Sequence, residues 1–163
     1  MENLTVDANI LHSLLRTHEE PHEDAKTLWK LHKDGFVKIT VTTRIDVDVP
    51  RDPLKSEIEE LEVLKIPTIG RYGFSSYGGD YYASDDEIRL NEVLINVIFP
   101  GKNNLTQNDI ADIDHLIGHS SSTNKHFITN EKKIFQKADE LKKTGISVLS
   151  LKGFLNSKTS TNS

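Results

Sequence analysis

The spacing of apolar residues changes at Asp7. Leu4, Thr5 and Val6 form a short, mostly apolar run that predicts a buried strand near the first residue, and Ile10, Leu11, Leu14 and Leu15 then recur at helical spacing. An aspartate at such a junction can cap the helix by accepting a backbone hydrogen bond. At the carboxyl end of a strand in an open α/β sheet it also stands where ligands bind. The first helix should end near His18, because Pro21 suits a first turn and not a helix interior. Ala25, Leu28, Trp29 and Leu31 give the apolar side of a second helix, closed by Asp34-Gly35, and residues 36–41 read as a strand rich in β-branched side chains.

Beyond it, Ile45, Val47 and Val49 alternate with Asp46 and Asp48. If the segment is extended, both carboxylates share one face about 7 Å apart; as an ordinary edge they would simply be solvated acids. Leu54, Ile58, Leu61 and Leu64 predict a third helix. From residue 66 to 84 the pattern dissolves into glycines and tyrosines, read as a long surface loop in which Arg71 and Tyr77 are candidate contacts to phosphates and bases. Residues 88–99 are dense in Val, Ile and Leu, which predicts a buried helix stopped by Pro100-Gly101. Ile110, Ile113, Leu116 and Ile117 then form a helical stripe, with Asp109, Asp112 and Asp114 at or beyond its margins, where acids in the first turn also favour the helix dipole. Residues 126–129 read as a strand that meets the next helix at Asn130-Glu131. That helix carries Ile134, Phe135, Ala138 and Leu141, Gly145 caps it, residues 146–151 give the last strand, and residues 156–163 a flexible tail.

Strands alternating with helices predict an α/β fold, a three-layer α/β/α sandwich around a mostly parallel sheet of four or five strands. In that fold Asp7 and Asn130-Glu131 both follow strands at one edge of the sheet, so acids distant in sequence converge. With 163 residues the chain is expected to be one domain, residues 1–155, with residues 66–104 as an insert. The absence of cysteine excludes disulfide frameworks, thiolate nucleophiles and cysteine zinc sites. A formal charge of −5 argues against a passive nucleic-acid binder, but not against an enzyme whose clustered carboxylates hold a divalent metal. No apolar run reaches the length of a membrane span and nothing reads as a signal peptide, so a cytoplasmic protein is expected.

Residues 6–11, Val-Asp-Ala-Asn-Ile-Leu, resemble the opening of PIN-domain (VapC-like) metal-dependent ribonucleases. Residues 112–116, Asp-Ile-Asp-His-Leu, and 127–132, Phe-Ile-Thr-Asn-Glu-Lys, are similar to the family's acidic helix and its strand with a Thr-x-acid turn, and residues 145–155 to its closing strand and helix. The resemblance covers the first and last thirds of the chain. It implies catalytic acids at Asp7, Asp46, Asp112 and Glu131, with Asp48 and Asp114 as alternatives to the second and third, and Asn9, Thr129 and Asn130 in support. The second acid is usually glutamate in the family and the fourth commonly aspartate, so Asp46 and Glu131 depart from its pattern. It further implies Mg²⁺ or Mn²⁺ held by Asp7, Asp112 or Asp114, and Glu131, an RNA substrate cut to leave a 5′-phosphate and a 3′-hydroxyl, and a possible role as the toxin of a toxin-antitoxin pair, with an antitoxin partner or a homodimer. The alternative is a PIN-like fold whose acids serve only as caps, acting as a catalytically silent binding or assembly module.

Two rival metal sites can be read from the chain. Residues 18–22, His-Glu-Glu-Pro-His, satisfy the zinc-protease pattern, which needs both histidines on one continuous helix that Pro21 interrupts. His115 and His119 lie one helical turn apart and could bind a transition metal with Asp112, or be a partly exposed pair of ordinary histidines.

Overall fold

The computed structural model describes residues 1–18, 20–43, 53–71, 74–75 and 81–160. Asp46, Asp48 and Tyr77 lie outside the described residues, and Arg71 is described by its backbone alone. The strands are β1 (Glu2–Val6), β2 (Val37–Val41), β3 (Glu62–Val63), β4 (Pro67–Thr68), β5 (Gly70–Arg71), β6 (Phe74–Ser75), β7 (Tyr81–Tyr82), β8 (His126–Ile128) and β9 (Val148–Leu149). The helices are α1 (Ala8–Leu15), α2 (His22–Lys33), α3 (Pro53–Glu59), α4 (Asp85–Ile98), α5 (Gln107–Ser120), α6 (Lys132–Phe135), α7 (Ala138–Lys143) and α8 (Leu151–Ser160).

The main sheet has the order β3-β2-β1-β8-β9, and every pairing in it is parallel. Residues along each strand alternate between the faces. Leu4, Val6, Val37, Ile39, Val41 and Ile128 join one core with Leu11 and Leu14 of α1, Leu28 and Trp29 of α2, Ile58 of α3 and Phe154 of α8. On the opposite face Phe127 and Val148 pack with Leu94 of α4, Ile113 and Leu116 of α5, Ile134 of α6 and Leu141 of α7. Two cores on two faces make the predicted three-layer α/β/α sandwich.

The second face is apolar only under β8 and β9. Over β1 and β2 it is polar: the His119 ring and Thr5 Oγ1 lie 2.7 Å apart, and Asn124 Nδ2 donates to Thr5 and Thr40 at 2.9 and 2.5 Å. Thr40 in turn donates to the Leu4 carbonyl, and His115 Nδ1 lies 2.9 Å from Thr42 Oγ1. Buried threonines are admissible here because each hydroxyl finds a partner.

Several elements differ from their sequence reading. The third helix stops at Glu59, and Leu61 turns inward so that Glu62–Val63 adds a parallel edge strand to β2, with Lys38 and Glu62 paired at 2.6 Å. The free edge of β2 offers hydrogen bonds that outweigh another turn of helix. α4 is not wholly buried: Asn91, Leu94 and Ile98 face the core, whereas Ile88 and Val93 are exposed. The helix read after Glu131 is two helices, α6 and α7. β9 is shorter than predicted because Leu151 already opens α8. The tail from Asn156 is helical as far as Ser160, since Ser157, Thr159 and Ser160 return their hydroxyls to backbone carbonyls and Lys158 pairs with Glu2.

Candidate functional site

The site is assembled around Thr129, fully buried at the end of β8. Parallel pairing of Val6 with Ile128 sets Asp7 beside that end, and the Asp7 amide donates to the Ile128 carbonyl at 2.9 Å. The Thr129 hydroxyl donates to Asp7 Oδ2 at 2.7 Å, and Thr129 Oγ1 in turn accepts the Glu131 amide at 3.0 Å. One side chain thus fixes the Asp7 carboxylate and orders the turn that carries Glu131.

Asp7 occupies the N-cap position of α1, but its side chain makes no capping hydrogen bond. Glu131 stands at the N-cap of α6 with the same result. Helix capping therefore accounts for neither carboxylate. Asp109 behaves differently: it forms a capping box with Thr106 and bonds Lys102 at 2.5 Å. Burial acts to raise its pKa, but Lys102 and Thr106 hold it down at about 2. Asp109 is a structural anion.

Asp112 stands on α5, where its carboxylate meets Lys133. Its carboxyl is pushed above the ordinary value, first by burial and then by the charges of Asp7 and Glu131, while Lys133 opposes the rise. Asp7 and Glu131 are thus near enough to Asp112 for their charges to oppose its ionisation. Asp114 is turned about 200° round the helix from Asp112, so the two carboxylates leave α5 in different directions.

Lys133 adds a cation that no sequence motif marks. Its Nζ lies 2.7 Å from Asp112 Oδ2 and 3.6 Å from Asp109 Oδ1, and Asp112, Glu131 and Asp109 raise its pKa against the effect of burial. Lys102 and Lys133 both sit over the Phe99 ring, at 5.3 and 5.5 Å from its centroid. In sequence Lys133 is one of three lysines near an apolar stripe, and only the approach of α6 to α5 selects it.

The supporting residues divide. The Asn9 Oδ1 is buried without a hydrogen-bond partner among the described residues. Asn130 accepts the Leu151 amide at 3.3 Å and so ties the β8 turn to α8. The rival sites are otherwise occupied. His22 opens α2, its Nδ1 3.0 Å from the Ser13 carbonyl oxygen, and His18 precedes that helix, so the zinc-protease pattern has no common helical face. His115 and His119 are engaged by threonines, and His119 is buried rather than partly exposed.

The donor chemistry of Asp7, Asp112 and Glu131 suits a hard divalent cation, and their mutual repulsion is what such a cation would relieve. Among the described residues, however, no group of three His, Asp or Glu side chains stands within ligating reach of one point. The nearest positive charge is Lys133. Among the described residues no helix is long and apolar enough to cross a membrane. No family model matches the chain, and it has no match among curated proteins or solved structures.

Removing the Thr129 hydroxyl should test its place in this arrangement. Thr129→Val leaves the Asp7 carboxylate without its donor and the Glu131 amide without its acceptor, so a loss of about 1–3 kcal/mol is expected in urea unfolding. If Asp7 binds a metal, its affinity should also fall by about 10–100-fold, as for other outer partners of ligands. Unchanged stability and affinity would remove Thr129 from the site.

Proposed function

We propose that the protein is a metal-dependent endoribonuclease of the PIN type, in which Asp7, Asp112 and Glu131, with Asp46 or Asp48, hold Mg²⁺ or Mn²⁺. The observation that carries this reading is the Thr129 link: it fixes an Asp7 carboxylate that caps nothing beside a turn whose Glu131 also caps nothing. When bound, the metal would lower the pKa of a water to make a nucleophile for in-line attack on a phosphodiester. Thr129 orients Asp7, and Lys133 offsets part of the negative charge that would otherwise repel a phosphate. The resemblance to PIN ribonucleases adds the expected products, a 5′-phosphate and a 3′-hydroxyl, and the role of a toxin held silent by an antitoxin; the cytoplasmic location is carried over from the sequence reading.

A second reading is favoured by the Lys133–Asp112 pair at 2.7 Å, in which an ammonium takes the role of the metal and the fold serves as a silent binding or assembly module. The two readings separate on an end-labelled RNA pool incubated with Mg²⁺ or Mn²⁺. The nuclease produces internal cuts that EDTA suppresses; the silent module leaves the pool intact with either metal.

A further inference from the structure

The register of the main sheet gathers a second cluster of reactive side chains at the end of β8 opposite Thr129. Leu4 pairs with His126 and Phe127 with Val148, so Glu2, His126 and Ser147 leave one face of three adjacent strands. Ser147 Oγ lies 2.6 Å from His126 Nδ1, and His126 Nε2 lies 3.3 Å from Glu2 Oε1. Lys125 pairs with that same Glu2 oxygen at 2.9 Å, and Lys158 of α8 pairs with the other.

The charges fix where the protons lie. Burial acts to raise the Glu2 pKa, but Lys158 and Lys125 outweigh it and hold the carboxyl below its ordinary value, so Glu2 is an anion. Burial is also the main effect on His126, and it lowers that pKa below the ordinary value. A neutral imidazole has one N–H, and an ionised carboxylate can only accept. Nε2 therefore carries the hydrogen towards Glu2, which leaves the Nδ1 lone pair to accept the Ser147 hydroxyl. This is the order of nucleophile, base and orienting acid that activates a serine. Ser147 and His126 are both partly exposed. His119 also faces a hydroxyl, that of Thr5, but at 3% exposure it is closed to a substrate.

We propose that Ser147 is the nucleophile of a serine hydrolase site for small carboxylic esters, with His126 as general base and Glu2 as the positioning residue that holds the ring in its working tautomer. Ser147 Oγ attacks the ester carbonyl carbon while its proton passes to His126 Nδ1. The carbon–oxygen ester bond breaks and the alcohol leaves with that proton. Water, giving a proton to the same nitrogen, then attacks the acyl-serine and releases the acid, and the proton returns to Ser147. The reaction uses neither a metal nor the acids around Thr129, so it stands apart from the nuclease reading.

A fluorophosphonate probe tests the nucleophile directly, since serine attack forms an oxygen–phosphorus bond as fluoride leaves. Incubated with the parent in EDTA, the probe is expected to add one label, mapped to Ser147 by peptide mass spectrometry and absent from Ser147→Ala. His126→Gln should label at least about a hundredfold more slowly, the usual worth of a general base. Glu2→Gln should slow it as well, because an amide can donate to Nε2 and favour the wrong tautomer. Circular dichroism checks each fold, and Glu2→Gln carries the comparison if His126→Gln unfolds. The parent should also release p-nitrophenol from p-nitrophenyl acetate beyond one equivalent, and Ser147→Ala should not. No label at Ser147, labelling that keeps the parent's rate in the folded His126 or Glu2 variant, or ester turnover that survives Ser147→Ala would overturn the proposal and leave these bonds as a tie between β1, β8 and β9.

Discussion

Asp7→Asn is expected to remove RNA cleavage while leaving the fold intact. The carboxylate makes no bond to the first turn of α1, so α1 loses no cap, and asparagine would in any case serve as a cap equally well. The Thr129 hydroxyl can donate to the amide oxygen as it does to Asp7 Oδ2. Stability should therefore stay within about 0.5 kcal/mol of the parent by urea unfolding. What changes is charge. One of the two anions that repel Asp112 disappears, so the Asp112 carboxyl, held above its ordinary value partly by Asp7, should titrate lower in the variant. If Asp7 holds the metal as proposed, activity should fall by more than the about 10–100-fold typical of an outer partner of a metal ligand. A variant that cleaves RNA like the parent would show that Asp7 takes no part in the chemistry.

Mild acid is expected to destabilise the protein through His119. This ring is 3% exposed, sits 2.7 Å from Thr5 on the polar face of β1 and meets Phe127 edge-on at 5.7 Å. Burial, with a smaller contribution from His126, lowers its pKa from 6.5 to about 4. Above pH 6.5 the ring is neutral in both folded and unfolded chains and contributes no pH dependence. Between pH 6.5 and about 4 the unfolded chain takes up a proton that the folded chain refuses, so stability is lost as pH falls. The full loss amounts to roughly 3 kcal/mol, spread across that window. Urea unfolding of the parent and of His119→Gln at pH 7, 5.5 and 4.5 checks it: the parent's stability should fall with pH and the variant's should fall less. Equal slopes would assign the acid sensitivity to other groups.

The layers of the fold are legible in the sequence where one face is buried and the period is clean. Val37, Ile39 and Val41 alternate with polar residues, and Ile10, Leu11, Leu14 and Leu15 keep helical spacing; both appear as read. Leu61 and Val63 do not, because the pattern from Leu54 to Leu64 satisfies a helix while the open edge of β2 rewards a strand. That choice is made by a partner 24 residues away, as the Lys38–Glu62 pairing marks. Asp7 and Glu131 could be placed at one edge of the sheet from strand order alone, since both directly follow parallel strands. Whether they cap helices could not, because an N-cap acid and a free acid occupy the same position in sequence. The buried polar group of Thr5, Thr40, Asn124 and His119 also escapes pattern reading: each residue type is ordinary on a surface, and only their mutual bonds make burial tolerable. Lys133 escapes it for a similar reason, since its role depends on α5 and α6 meeting.

On the proposed reading Asp7 and Asp112 act on one cation although 105 positions separate them in the chain. Isothermal titration of Mn²⁺ into the parent protein, Asp7→Asn and Asp112→Asn tests it most directly. Binding in the parent that is lost in both variants is the predicted result. No binding by the parent at millimolar Mn²⁺, or binding that survives either substitution unchanged, would contradict it.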